Sequence, residues 1–134
     1  MSIELPEDIR PVMQNGVPVL LATCSAAGVP NATILSQVYY VDTTHVALSF
    51  QFFNKTVRNV RENPEASVCL NDIPGGVNWI LNIRYDHSES EGPIFDEMDM
   101  QIEAIASATG MSGLFSLKAA DIYAVTGIQK ITFA

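Results

Sequence analysis

Three apolar runs rich in β-branched residues, Val17 to Cys24, Val29 to Val41 and His45 to Phe50, follow one another across very short connections, Ser25-Ala26-Ala27-Gly28 and Asp42-Thr43-Thr44. Strands joined so tightly pair with their sequence neighbours and run antiparallel, because a parallel crossover needs a dozen or more residues. The chain is therefore expected to be mainly β, as a meander or barrel with added helices. The second run alternates along its length. Ala32, Ile34, Ser36, Val38 and Tyr40 share one face and Asn31, Thr33, Leu35, Gln37 and Tyr39 the other, and one of these faces is distinctly more polar.

Helices punctuate the strands. Pro6 to Gln14 reads as a short helix with Pro6 in its first turn, Glu7 and Asp8 at its positive end and Gly16 after it, placed as a lid or brace. A helix is predicted over Lys55 to Glu62, stopped by Pro64, followed by strands at Ala66 to Leu70 and Val77 to Tyr85. The polar stretch Asp86 to Pro93 reads as a turn opening a longer helix, whose Phe95, Met98, Ile102, Ile105 and Ala106 keep the 3.6-residue period. A last strand or strand pair covers Asp121 to Val125 and Ile128 to Phe133.

Length and charge narrow the function. At 134 residues, 48% hydrophobic and 16% charged, the chain is expected to form one compact domain over 1–134. A net charge of −8 opposes a broad nucleic-acid or anionic-membrane surface, yet leaves room for a small anion. No run of about 18 apolar residues and no signal-peptide pattern is present, so a cytoplasmic location is expected. Cys24 and Cys69 lack metal or redox spacing and are expected as buried thiols. His87 is expected in an exposed loop, and neither it nor His45 is assigned a role. Seven of the fifteen carboxylates fall between Asp86 and Glu103, but Asp96, Glu97 and Asp99 at a helix start simply complement its dipole, so no metal site is expected.

The densest chemical signal is Phe52 to Pro64, which gathers three of the seven cations, Lys55, Arg58 and Arg61, within seven residues. Asn54 can cap the helix, Thr56 adds a hydroxyl, and the unpaired N–H groups of the first turn attract an anion. A solvated amphipathic helix with its cations on the wet face is the competing reading.

The order of elements resembles a known family. A hairpin crossed at Gly28-Val29-Pro30-Asn31, a third strand, the helix Lys55-Thr56-x-x-Asn59-Val60-x-x-Asn63-Pro64 and a strand beginning Ala66-Ser67-Val68 resemble the pyridoxamine 5′-phosphate oxidase-like FMN-binding split barrels. Glu91 to Met98, Gly110-Met111 and Ala120 to Tyr123 look like a branch that also occurs beside sensory domains. The resemblance implies a six-stranded antiparallel split barrel and a homodimer with an FMN in each of two interface clefts. By position, Lys55 and Thr56 match the phosphate-binding pair, with Asn54 and Asn59 nearby. Asn31 to Ser36, including Thr33 and Ser36, match the strand along the isoalloxazine, and Ser49 and Gln51 fall towards the ribityl chain and phosphate. Trp79 is either a cleft aromatic or a plain core or interface residue. The family's oxidases carry an arginine near the position of Thr33 and a basic, histidine-containing C-terminal segment; this chain has neither, so that oxidase activity is not expected. Flavin redox chemistry on an unknown substrate is the expected activity, with no catalytic residue assigned. A non-catalytic flavin sensor or storage module, a haem-handling split barrel and an interaction scaffold are the alternatives.

Overall fold

The computed structural model describes residues 3–14, 19–35, 38–50, 54–108, 110 and 117–132, without the side chains of Gln14, Phe50, Asn54, Lys55 and Ile105. Its strands are β1 (Val19–Cys24), β2 (Pro30–Leu35), β3 (Tyr39–Asp42), β4 (His45–Phe50), β5 (Glu65–Asp72), β6 (Val77–Glu89) and β7 (Ala119–Thr132). A 3-10 turn (Glu7–Ile9) leads into α1 (Arg10–Gln14), and α2 (Asn54–Glu62) and α3 (Pro93–Ala108) follow β4 and β6.

The short connections act as their residues dictate. At the β1–β2 hairpin the Ser25 N–H donates to the Val29 carbonyl, and Gly28 supplies the positive φ of +84° that closes the loop. In the β3–β4 turn Asp42 Oδ1 accepts the Thr44 N–H at 2.8 Å.

All seven strands join one antiparallel sheet in the order β2-β1-β5-β6-β7-β4-β3. Among the described residues seven strands stand where six were expected, because the predicted strand 29–41 supplies two of them, β2 and β3. Its first part pairs with β1 and its second with β4, so one stretch of chain supplies both outer edges of the sheet. Counted as one, the two parts restore the six-strand split barrel. One further boundary differs, and one open alternative is resolved. The stretch expected as a turn from Asp86 onwards continues β6 to Glu89, and the last strand pair is one strand interrupted by a bulge at Thr126, since Asn82 pairs with Gly127 and Ile83 with Val125.

Inside the sheet, Leu21, Val46, Val68, Leu81, Ile83 and Tyr123 build the main core, and Ile9, Val12 and Met13 are buried in it. The N-terminal segment is thus a brace, fastened also by the Arg10 guanidinium 4.3 Å above the Tyr40 ring. A second cluster lies where Met98 of α3 meets Ala47, Ala120 and Ile122, with Phe95 and Ile102 partly buried beside it, as the helical period requires. Burying a side chain of that size contributes about 1.5–3 kcal/mol. Tyr39 ties β3 to α3: burial, then its hydrogen bond to Glu97, pushes its hydroxyl up to about 12.

Candidate functional site

Helix α2 begins at Asn54, one residue before the expected start, and docks by the face carrying Thr56, Asn59 and Val60, leaving Arg58, Arg61 and Glu62 exposed. Two of those three docking side chains are polar and nearly inaccessible, Thr56 at 6% and Asn59 at 4%. Such groups cost stability unless they find partners. Asn31 Nδ2 donates to Thr56 Oγ1 at 3.3 Å, and Asn59 Nδ2 donates to the buried Thr23 Oγ1 at 3.2 Å. Because Asn31 and Thr23 face each other across β1 and β2, one cross-strand pair holds two successive positions on the helix.

The alternation of β2 is inverted relative to an ordinary half-buried strand. Asn31 and Thr33 point towards α2 and the interior, half-buried, whereas Ala32 and Ile34 point outwards, Ile34 at 68% exposure. The outward residues continue across the sheet in register. Ile34, Leu20, Cys69 and Ile80 form one row and Ala32, Ala22, Ser67 and Asn82 the next. Both cysteines are therefore half-exposed on or beside this face, not buried thiols as expected, because the parity that buries Leu21 and Thr23 turns Cys24 outwards. A groove of about 420 Å³ runs over the same face between Thr23, Cys24, Asn63, Ser67, Asn82 and Thr126.

Beneath the start of α2, Ser49, Thr56, Val57, Asp121 and Tyr123 border a void of about 10 Å³, room for one water at most. Asp121 is 4% exposed, and burial pushes its carboxyl above the usual range despite the Ser88 hydroxyl that donates to it at 2.6 Å and the pull of Arg61. A bulge makes that contact. Tyr85 pairs with Tyr123 but His87 with Ile122, so Asp86 is the extra residue and Ser88 lands on the same face as Tyr85. The Tyr85 and Ser88 hydroxyls are hydrogen-bonded, and the Arg61 guanidinium lies 5.2 Å from the Tyr85 ring centroid with an N–H 3.4 Å from Ser88 Oγ. Arg61 is exposed, and from the surface it also fastens α2 to β6.

The remaining expected site residues separate into groups. Asn59 belongs to the cluster around Thr56, Thr33 shares the half-buried face of β2 with Asn31, and Ser49 borders the void. Asn54 and Lys55 are the first two residues of α2, with side chains outside the described set; Ser36 and Gln51 lie outside the described residues altogether. Trp79 is not brought to this end. It is buried in the core four residues along β6 from Ile83, flanked by Leu70, with the Lys130 ammonium 5.1 Å over its ring. His87 lies on the exposed β6 extension and not in a loop, its two ring nitrogens bonded to Asp86 and Glu89. Among the described residues no cluster of three His, Cys, Asp or Glu could hold a metal, and no helix is long and apolar enough to cross a membrane.

Sequence reasoning passed over Thr23, Ser88 and Asp121. Thr23 shares the core phase of Val19 and Leu21, and Asp121 is an acid set among Ala119, Ala120 and Ile122; each is visible as a polar residue at an apolar position. Ser88 had no such signal, since its orientation depends on the bulge.

Residues 5–126 match the family described as pyridoxamine 5′-phosphate oxidase. The chain belongs to that family. Among curated proteins no sequence relative is found. Solved structures share the fold: an FMN-binding protein from Syntrophomonas wolfei, 15% identical, covering 96% of this chain and 86% of its own with a TM-score of 0.78; HupZ from Group A Streptococcus, 17% identical, covering 96% and 94% with a TM-score of 0.72; and HutZ, the haem storage protein from Vibrio cholerae, 18% identical, covering 99% and 98% with a TM-score of 0.60.

Proposed function

We propose that the chain is a single FMN-binding domain that works as a homodimer, with the flavin phosphate at the first turn of α2 and the isoalloxazine along β2 in a cleft between two copies. The observation that carries this reading is the inverted β2 alternation, which turns Asn31 and Thr33 towards the polar face of α2 and apolar Ala32 and Ile34 towards solvent. The residues fit the group. Lys55 would bring the charge, the Thr56 hydroxyl and the free N–H groups of the first turn would donate to the phosphate, and Asn54 and Asn59 would flank it. Thr33 and Ser36 would meet the ring's N and O edge, with Ser49 and Gln51 towards the ribityl chain. Trp79, buried in the core, is assigned no contact.

A void of about 10 Å³ cannot hold a flavin, which needs hundreds of cubic ångströms, so the ring would lie outside the barrel. The outward rows of β2, β1, β5 and β6 supply what a second copy would cover: apart from Asn82 they are apolar or small, and the Glu65–Arg84 ion pair beside them is self-compensating in a chain of charge −8. When bound, FMN supplies the electron transfer, and the protein positions the ring and sets its electrostatics.

The absorption spectrum of the purified protein is the direct test. A flavin spectrum, or tight FMN uptake by colourless protein that is lost in Lys55→Ala/Thr56→Ala, is the expected result. A protein that ignores added FMN overturns the reading, and a Soret band would put haem in its place. Bleaching of bound flavin by NADH or NADPH under anaerobic conditions would mark a reductase in preference to a sensor.

A further inference from the structure

We propose that Asp121 takes up a proton when an anion occupies the first turn of α2, so that ligand binding and carboxyl protonation are one linked event; this rests on the phosphate reading above. The geometry is specific. Asp121, on β7, borders the same small void as Thr56 and Val57 of that turn, and the remaining wall is largely apolar, with Leu21 and Leu35 contributed by β1 and β2. No solvent layer thicker than one water fits between the carboxyl and the helix start.

Among the described residues, these groups face Asp121. From β6 come the Ser88 hydroxyl and, behind it, Tyr85; from β7 comes Tyr123, whose hydroxyl burial holds well above its usual range; β4 contributes Ser49. From α2 comes Arg61, the one described cation among them, itself exposed and engaged with Ser88 and Tyr85. A phosphate dianion at Thr56 would therefore face a buried carboxylate across a poorly screened gap. Like charges at such a site are relieved by protonating one of them. The carboxylate binds one proton as the dianion enters, and gives it up when the dianion leaves. Burial already moves the carboxyl in the direction of accepting that proton. By reciprocity, whatever favours the neutral carboxyl strengthens anion binding by the same factor.

FMN affinity should be measured by fluorescence quenching between pH 5.5 and 8.5 for the wild type and Asp121→Asn. The expected result is that the wild-type affinity, relative to that of the variant, falls with rising pH by up to about tenfold per unit. Calorimetry of the wild type at pH 7.5, where the phosphate is already a dianion, in two buffers of different ionisation enthalpy should show proton uptake with FMN and none with riboflavin. That comparison decides the matter even if Asp121→Asn does not fold. Parallel pH profiles for the two proteins, or equal proton uptake with FMN and riboflavin, overturn the inference while leaving the FMN site standing. Failure of the wild type to bind FMN at any pH overturns both.

Discussion

Asp121, Asn59 and His87 each carry a separate consequence of where they sit. The folded-state carboxyl of Asp121 lies above its unfolded value, so the folded protein holds a proton more firmly than the unfolded chain. Its contribution is therefore most favourable below the unfolded value near 3.9 and declines as pH rises through the interval up to the folded value. Asp121→Asn, which keeps an oxygen for Ser88, is expected to unfold at a higher temperature than the wild type at neutral pH, with the difference closing in acid; thermal melts from pH 4 to 8 would show it. Asn59→Ala leaves the buried Thr23 hydroxyl without the partner it has at 3.2 Å, and should cost about 1–3 kcal/mol in urea unfolding. His87 is different because it is exposed. Its hydrogen bonds to Glu89 and then Asp86 raise its titration above the ordinary 6.5, which an NMR titration would report, and Glu89→Gln should bring it down.

Bulges and faces govern the elements. The extra residue Asp86 in β6 puts Ser88 on the interior side with Tyr85, and through Ser88 the strand reaches both Asp121 and Arg61. Tyr85→Leu with Ser88→Ala removes both partners that hold Arg61 to β6 and so releases Arg61. Faster hydrogen exchange along α2 is the expected outcome, and unchanged protection would show that Arg61 does not secure the helix. The second bulge, at Thr126, is followed by Gly127 opposite Asn82, where an added Cβ would stand 3.1 Å from the Asn82 amide nitrogen. A side chain there would press on the outer face of the sheet. In α2 the helical period correctly separates Arg58 from Thr56 and Asn59. It is silent on Arg61, which looks equally wet in sequence and is engaged only because β6 lies beside it.

At the scale of the whole molecule, the outward rows through Leu20 and Ile34 set apolar side chains on the exterior of the sheet, with exposures of 47% and 68%. If a second copy covers them, as proposed, Leu20→Lys with Ile34→Lys should convert a dimer to a monomer in sedimentation velocity without unfolding it, and should weaken FMN binding with it. A wild-type monomer at micromolar concentration would remove the dimeric part of the proposal. The class of fold and most element positions could be read in advance, because a turn such as Asp42 to Thr44 or a run such as Leu20 to Cys24 expresses its preference within a few residues. Thr56 and Asn59 were singled out in advance only as partners of an anion, and not as the side chains by which α2 docks.

What the sequence determined by itself is local: strand periodicity, hairpin turns, the stop at Pro64, and a polar stripe on α2. Only the tertiary structure decided that β1 lies beside β5 and β4 beside β7, that β2 and β3 form the two edges of the sheet, and that Asp121 shares a void with Thr56. Turn and period signals are carried by neighbouring residues. Pairings between distant strands depend instead on closing long loops against the burial of a common core, and a bulge re-aims every side chain beyond it, so no local pattern carries their outcome.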